Sequence, residues 1–204
     1  MERITDVVKH LLIINVLMFF GTNLLGENIR MSLALYFPGS EYFRPYQLVT
    51  HMFMHGNLSH LFFNMFALYM FGPPLEALWG ERRFLFFYLF SGVGALGLHL
   101  LVTYIELSSG SIPAEVVNIP MVGASGAIFG LLAGYGMSFP NNIIQMIFPP
   151  IAMRAKYFVL IYAALELFFG LQRVMPGIAH FAHLGGALFG FLLIVFWRQF
   201  RGRW

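Results

Sequence analysis

The chain has 204 residues, of which 59% are hydrophobic and 18% aromatic, while 10% are charged and the formal net charge is +3. Soluble domains carry about 25% charged residues, so a chain with a mean hydropathy of +0.74 cannot clothe a water-facing surface. Cysteine is absent, which excludes disulfides, thiolate nucleophiles and cysteine-ligated metals.

Apolar stretches near the roughly 17–25 residues that cross a bilayer as a helix recur along the chain, and they predict an all-α membrane protein. The first covers about residues 7–25. Arg3 and Lys9 flank its start as in a secretory leader, but Gly21-Thr22-Asn23-Leu24-Leu25 offers no small-residue cleavage pattern, so the span is expected to be retained. The segment 26–50 mixes aromatics with Pro38, Arg44 and Pro45 and reads as an interfacial loop lying partly in the outer leaflet. The second span covers about 58–78, the third 84–105 and a short fourth 123–139. The fifth covers about 157–171 and the sixth 180–196.

Lys and Arg set the orientation. With the N-terminus in the cytoplasm, Arg3, Lys9, Arg82, Arg83, Arg154, Lys156, Arg198, Arg201 and Arg203 lie inside, against Arg30, Arg44 and Arg173 outside. The expected topology is N-in, C-in, which puts the starts of spans two, four and six at the outer face.

Three polar clusters fall at those starts. Gly123-Ala124-Ser125-Gly126 opens the fourth span, and His183 stands near the start of the sixth. Gly126, Gly130 and Gly134 form a ridge at four-residue spacing, and Ala182, Gly186 and Gly190 form another. Small-xxx-small ridges let transmembrane backbones approach closely, so docking the two would bring the Ser125 hydroxyl to the His183 imidazole. A serine hydroxyl is unreactive near neutral pH until a positioned base takes its proton; the alternative is a serine that only bonds neighbouring helices. His60 and Asn64 share one face of the second span. Their N–H groups suit the oxyanion of an acyl-transfer intermediate, or equally an interhelical hydrogen bond. His51 and His55 lie outside the span and read as structural or interfacial.

With His60-x-x-x-Asn64, Gly123-Ala124-Ser125-Gly126 and Ala182-His183-Leu184-Gly185-Gly186 followed by Gly190, the chain resembles the rhomboid intramembrane serine proteases. The resemblance implies a single six-transmembrane-helix domain over 1–204. It implies Ser125 as nucleophile and His183 as general base, a dyad without a carboxylate. It further implies an oxyanion hole from Asn64, His60 and the Ser125 backbone amide, and Phe129, one turn below Ser125, stacked on the base. Many members carry Trp-Arg in the first loop where this chain has Tyr46-Gln47, which leaves that loop's packing open.

Among the remaining polar residues, His180 is expected beside the site or facing water. Glu166, inside the fifth span, is expected to bond a neighbouring helix or line the watery side of the bundle. Glu76, Glu81, Arg82 and Arg83 are expected to tie the second and third helices together, and His99 has no evident partner. The expected activity is cleavage of transmembrane segments of membrane proteins near the outer face, in a bacterial inner membrane, with the site on the extracytoplasmic side. Because a substrate helix satisfies its backbone internally, it must unwind first, which favours helix-weakening residues; the family adds small side chains at the cleaved position. No cofactor, metal or nucleic acid is expected, and no His-Glu-x-x-His occurs. The competing readings are a catalytically inactive rhomboid-like chaperone or adaptor and a small transporter, although no internal repeat is evident.

Overall fold

The computed structural model of the protein describes residues 4–146, 150–173 and 179–199. Arg3, Arg201 and Arg203 of the orientation argument, and the ends of the 1–204 domain, lie outside these residues. The chain runs through α1 (Asp6–Leu25), α2 (Glu27–Leu33) and α3 (Gln47–Thr50), the last passing into a 3-10 turn at His51–Phe53. It continues through α4 (Leu58–Trp79), α5 (Glu81–Ser108), α6 (Ser125–Ser138), α7 (Ala155–Gln172) and α8 (His180–Gln199). Between α6 and α7 an antiparallel ribbon pairs β1 (Ile143–Gln145) with β2 (Ala152–Arg154). That ribbon was not foreseen, because three-residue strands are too short for alternation to be legible.

Five helices, α1, α4, α5, α7 and α8, are long and apolar enough to cross a membrane. The predicted short fourth span is α6, which is shorter than these five. It has 14 residues, ten of them buried, and at 1.5 Å per residue it reaches about 21 Å against a hydrocarbon core of about 30 Å. It is a short central helix packed against α4, α5, α7 and α8. The 28-residue α5 overruns its predicted bounds at both ends.

Around α6 the bundle closes on apolar and aromatic side chains from α4, α5, α6 and α8. Phe84, Phe87, Tyr88, Leu68, Leu75 and Leu131 are fully buried. Trp79 of α4, Phe87 of α5 and Trp197 of α8 form an aromatic cluster with ring centroids 4.7–6.0 Å apart. Outward-facing residues such as Phe62, Phe63, Leu160 and Leu171 leave an apolar sheath, as lipid contact requires.

Glu76 corrects one expectation. Rather than tying α4 to α5, which are joined through the single residue Gly80 (φ 79), its buried carboxylate reaches α1. It accepts hydrogen bonds from the Val7 and Val8 backbone N–H groups, both at 2.9 Å, and from the Thr5 hydroxyl. Those amides are among the four that a helix N-terminus cannot satisfy itself, and the positive end of the helix dipole favours the carboxylate.

Gln47 answers the question of the first loop. Fully buried, it accepts the Arg44 N–H at 3.0 Å and donates to the carbonyls of Tyr42 (3.0 Å) and Ser32 (3.1 Å). One amide of the Tyr46-Gln47 pair therefore organises the loop. The loop is in turn pinned to the segment before α6 by a Leu35–Met121 bridge and by a 2.7 Å bond from Ser40 Oγ to Asn118 Oδ1.

Replacing Glu76 by Ala is expected to lower stability by about 2–3 kcal/mol, the scale of charge-assisted hydrogen bonds lost at a helix cap. Thermal unfolding in detergent measures it; an unchanged midpoint would show that the α1 cap contributes nothing.

Candidate active site

The seam between α6 and α8 sets the site geometry. A Cβ added at Gly186 would collide with the backbone carbonyl of Gly126, and one at Gly190 would come within 3.0 Å of the Gly130 Cα. The two helices are thus in backbone contact along the predicted ridges. Gly134 departs from the ridge and faces Trp79 and Phe87 instead. Gly185 extends the close packing to α5, where a Cβ would lie 2.9 Å from the Ala95 Cα.

This contact brings Ser125 and His183 together, with 2.9 Å between Oγ and Nε2. Ser125 is the first residue of α6, so its own N–H has no partner within the helix. Gly123 just before it adopts φ 133, and a Cβ there would stand 2.9 Å from the His60 ring. Only glycine combines that backbone with that approach. The Gly123 N–H donates to the His51 carbonyl at 2.9 Å, which ties the α6 entry turn to the 3-10 turn before α4.

The Phe129 ring lies parallel to the His183 imidazole, 5° between planes and 4.3 Å between centroids. Tyr162 of α7 packs against Phe129 at 5.0 Å, its ring tilted by 44°. On α4, Asn57 caps the helix by accepting the His60 N–H at 2.8 Å. The Gly56 N–H lies 3.5 Å from His60 Nδ1, which makes Nδ1 the acceptor side of the ring and Nε2 its N–H side. Asn64 is buried, and its Nδ2 has no hydrogen-bond partner. Ser125, His183, His60, Asn64 and Phe129 all line one cleft of about 830 Å³. His99 also borders it.

His51 also lines the cleft, and His55 lies behind His60. His51 Nδ1 is 2.8 Å from the Gln47 carbonyl, and His55 meets the His60 ring edge-on at 5.1 Å. Burial pushes both imidazoles down to about 4, so both are neutral near pH 7 and bring no positive charge to the site.

Two polar residues settle between the alternatives expected for them: Glu166 bonds a neighbouring helix and His180 lies beside the site. His180 does not face water; it is buried, with Nδ1 2.7 Å from Glu166 Oε2. The same oxygen is 3.0 Å from His183 Nδ1, so a carboxylate does stand behind the imidazole. Their three ligand atoms lie within 4.8 Å of one another, the one such group among the described residues that could hold a metal. The His180 contact is a hydrogen bond, whereas His183 Nδ1 stands at ion-pair distance without an aligned one. Glu166 stands out in the sequence as a carboxylate in an apolar span, but its partners, 14 and 17 positions downstream, belong to a separate helix whose facing the sequence does not give.

Fold and site together define a multi-pass membrane protein with a serine–histidine pair housed inside its helix bundle. The Rhomboid domain matches residues 42–200. Rhomboid protease AarA of Providencia stuartii is 34% identical over 151 residues, covering 71% of this chain and 53% of that protein. Putative rhomboid protease YdcA of Bacillus subtilis is 32% identical over 151 residues, covering 72% of this chain and 65% of that one. Rhomboid-like protein 11, chloroplastic, of Arabidopsis thaliana is 34% identical over 155 residues, with 73% and 51% covered. The chain belongs to the rhomboid family of membrane proteins, which includes named proteases. It spans about half to two-thirds of the length of these relatives.

The seam makes a quantitative expectation. Gly186→Ala should destabilise by about 1–3 kcal/mol through overpacking and push α8 off α6, whereas Gly97→Ala, with open space around its Cβ position, should be near neutral. Unfolding midpoints of the two variants check this; equal midpoints would contradict backbone contact at the seam.

Proposed function

We propose that the chain is an intramembrane serine endopeptidase that cleaves transmembrane segments of membrane proteins with Ser125 as nucleophile and His183 as general base. The observation that carries the reading is the 2.9 Å contact between Ser125 Oγ and His183 Nε2, in a cleft that also holds an unpartnered amide donor. In the reaction His183 Nε2 takes the Ser125 proton as Oγ attacks the scissile carbonyl carbon. The carbonyl oxygen becomes an oxyanion, stabilised by N–H groups of Asn64, His60 and the Ser125 backbone. The helix N-terminus adds its positive dipole there. His183 then gives the proton to the departing amine, leaving an acyl-serine ester. Water attacks that ester with His183 again as base, which releases the carboxylate product and restores the hydroxyl.

Charge asymmetry favours an N-in, C-in orientation, of six helices if α6 is counted. The cleft lies at the end of the bundle where α4, α6 and α8 begin, so in that orientation it faces the extracytoplasmic side, of the inner membrane in a bacterial cell. The short α6 leaves room above it for water. A substrate helix must unwind locally to present its carbonyl, which favours segments with helix-weakening, small residues near that face.

Ser125→Ala and His183→Ala should each abolish cleavage of a single-span model substrate, because base and nucleophile act as a unit. A fluorophosphonate should label Ser125 covalently, located by mass spectrometry. Turnover by Ser125→Ala would overturn the proposal, and an unreactive wild-type serine would point to an inactive relative.

Asn64→Ala should lower kcat roughly 100-fold, the effect of losing one oxyanion donor. Stability should change by only about 1 kcal/mol, as for an average intramembrane hydrogen bond. Paired measurements of kcat and unfolding midpoint in one detergent separate the roles. A destabilised variant with normal kcat would return Asn64 to helix packing.

A further inference from the structure

Glu166 is an expensive residue in its place. Of the 18 residues of α7 only Ala155 and Glu166 are buried, and the rest of the helix faces outward or is half-covered. A carboxylate turned from a largely lipid-facing helix into the bundle is costly unless it meets charge or N–H donors. The donors present are His180 Nδ1 at 2.7 Å and His183 Nδ1 at 3.0 Å, both at the same oxygen, Oε2. Around His183 the other facing groups are His60 from α4, His99 from α5, Ser125 and Phe129 from α6, Tyr162 from α7 and His180 from α8. No Asp or Glu lines the cleft itself, so Glu166 is the one carboxylate at the imidazole among the described residues.

We infer that Glu166 is a positioning residue for His183: it holds the imidazole in the Nδ1–H form, leaving the Nε2 lone pair to Ser125, and it stabilises the positive charge that arises when Nε2 takes the proton. This deepens the protease reading and rests on it, turning the expected dyad into a serine–histidine–glutamate relay with His180 as the second donor to the carboxylate. The proton moves only from Ser125 Oγ to His183 Nε2; Glu166 remains a carboxylate throughout, as the acid does in serine triads. In the resting structure the Nδ1 atom of His183 lacks an aligned hydrogen bond despite the 3.0 Å distance. Resting sites often show such contacts, which align as charge develops. His180 holds the other side of the oxygen and keeps the carboxylate from turning away.

The test compares wild type with Glu166→Gln, which keeps shape and removes charge. Enzyme is counted by fluorophosphonate titration so that kcat refers to folded sites. Expected is a fall in kcat of about 100-fold, the scale of impaired general-base catalysis, with KM little changed and fluorophosphonate labelling slowed in step. Glu166→Asp, which keeps the charge on a shorter stem, should recover part of the loss. A packing role alone would lower the unfolding midpoint and the number of active sites and leave kcat per site untouched, which would overturn the inference. A second readout needs no altered glutamate: in ¹⁵N-histidine-labelled wild type, the resonances lost in His183→Ala should report Nδ1 protonated and Nε2 bare. The opposite tautomer overturns the inference even if Glu166→Gln fails to fold. A wild type that fluorophosphonate does not label defeats the protease reading itself, whereas a labelled wild type with an equally fast Glu166→Gln defeats only the role of Glu166.

Discussion

Inside a bilayer, helices are not pressed together by the hydrophobic effect, because lipid tails are as apolar as leucine. Reacting groups can be held at hydrogen-bond distance there only if backbones interlock. In this chain that interlock is the α6–α8 seam, where Gly186 rests on the Gly126 carbonyl and Gly190 on Gly130. Everything at the site is referenced to it. Ser125 stands one residue before the first glycine of one helix, and His183 three residues before Gly186 on the other. Phe129 then closes over the ring that the seam has delivered. The glycines carry no chemistry, yet a single methyl group between the helices would exceed the tolerance of a 2.9 Å contact.

The arrangement also reconciles water with lipid. A full-length central helix would carry its N-terminal amides to the membrane surface. A helix of about 21 Å stops short, so its uncapped N–H groups open into a cleft bordered by polar side chains from α4 and α8. The walls of that cleft are stiffened from behind by loops whose backbone groups are individually bonded. Gln47 satisfies three backbone groups within the first loop, and His51 fixes the Gly123 turn.

How much of this was legible in the sequence depended on range. Hydropathy located the membrane helices because a span is a local property, and small-residue spacing located the seam because the ridge repeats every turn. His60 and Asn64 shared a face for the same reason. What escaped was pairing between distant segments without a period. Glu76 carries no mark in the sequence that it faces α1 rather than α5, since both helices end near it. For Glu166 a bond to a neighbouring helix was among the expectations, as was a place beside the site for His180, but that the two meet each other behind His183 was not legible, because the partners belong to different helices. The Tyr46-Gln47 departure was visible as a difference, but that one buried amide could order the loop required the loop's backbone to be seen.

The Glu76 contact bears on how the chain is assembled. Thr5, at the N-cap of α1, offers no side-chain cap of its own, and the carboxylate that completes the helix end stands 69 residues after Val7. A growing chain delivers α1 to the bilayer long before residue 76 is synthesised. Until α4 is present, the leading amides of α1 have no partner from that carboxylate. The arrival of α4 from the opposite direction then supplies it. The end of α1 is therefore completed by a residue of another helix, and its fixing in place waits on the arrival of α4.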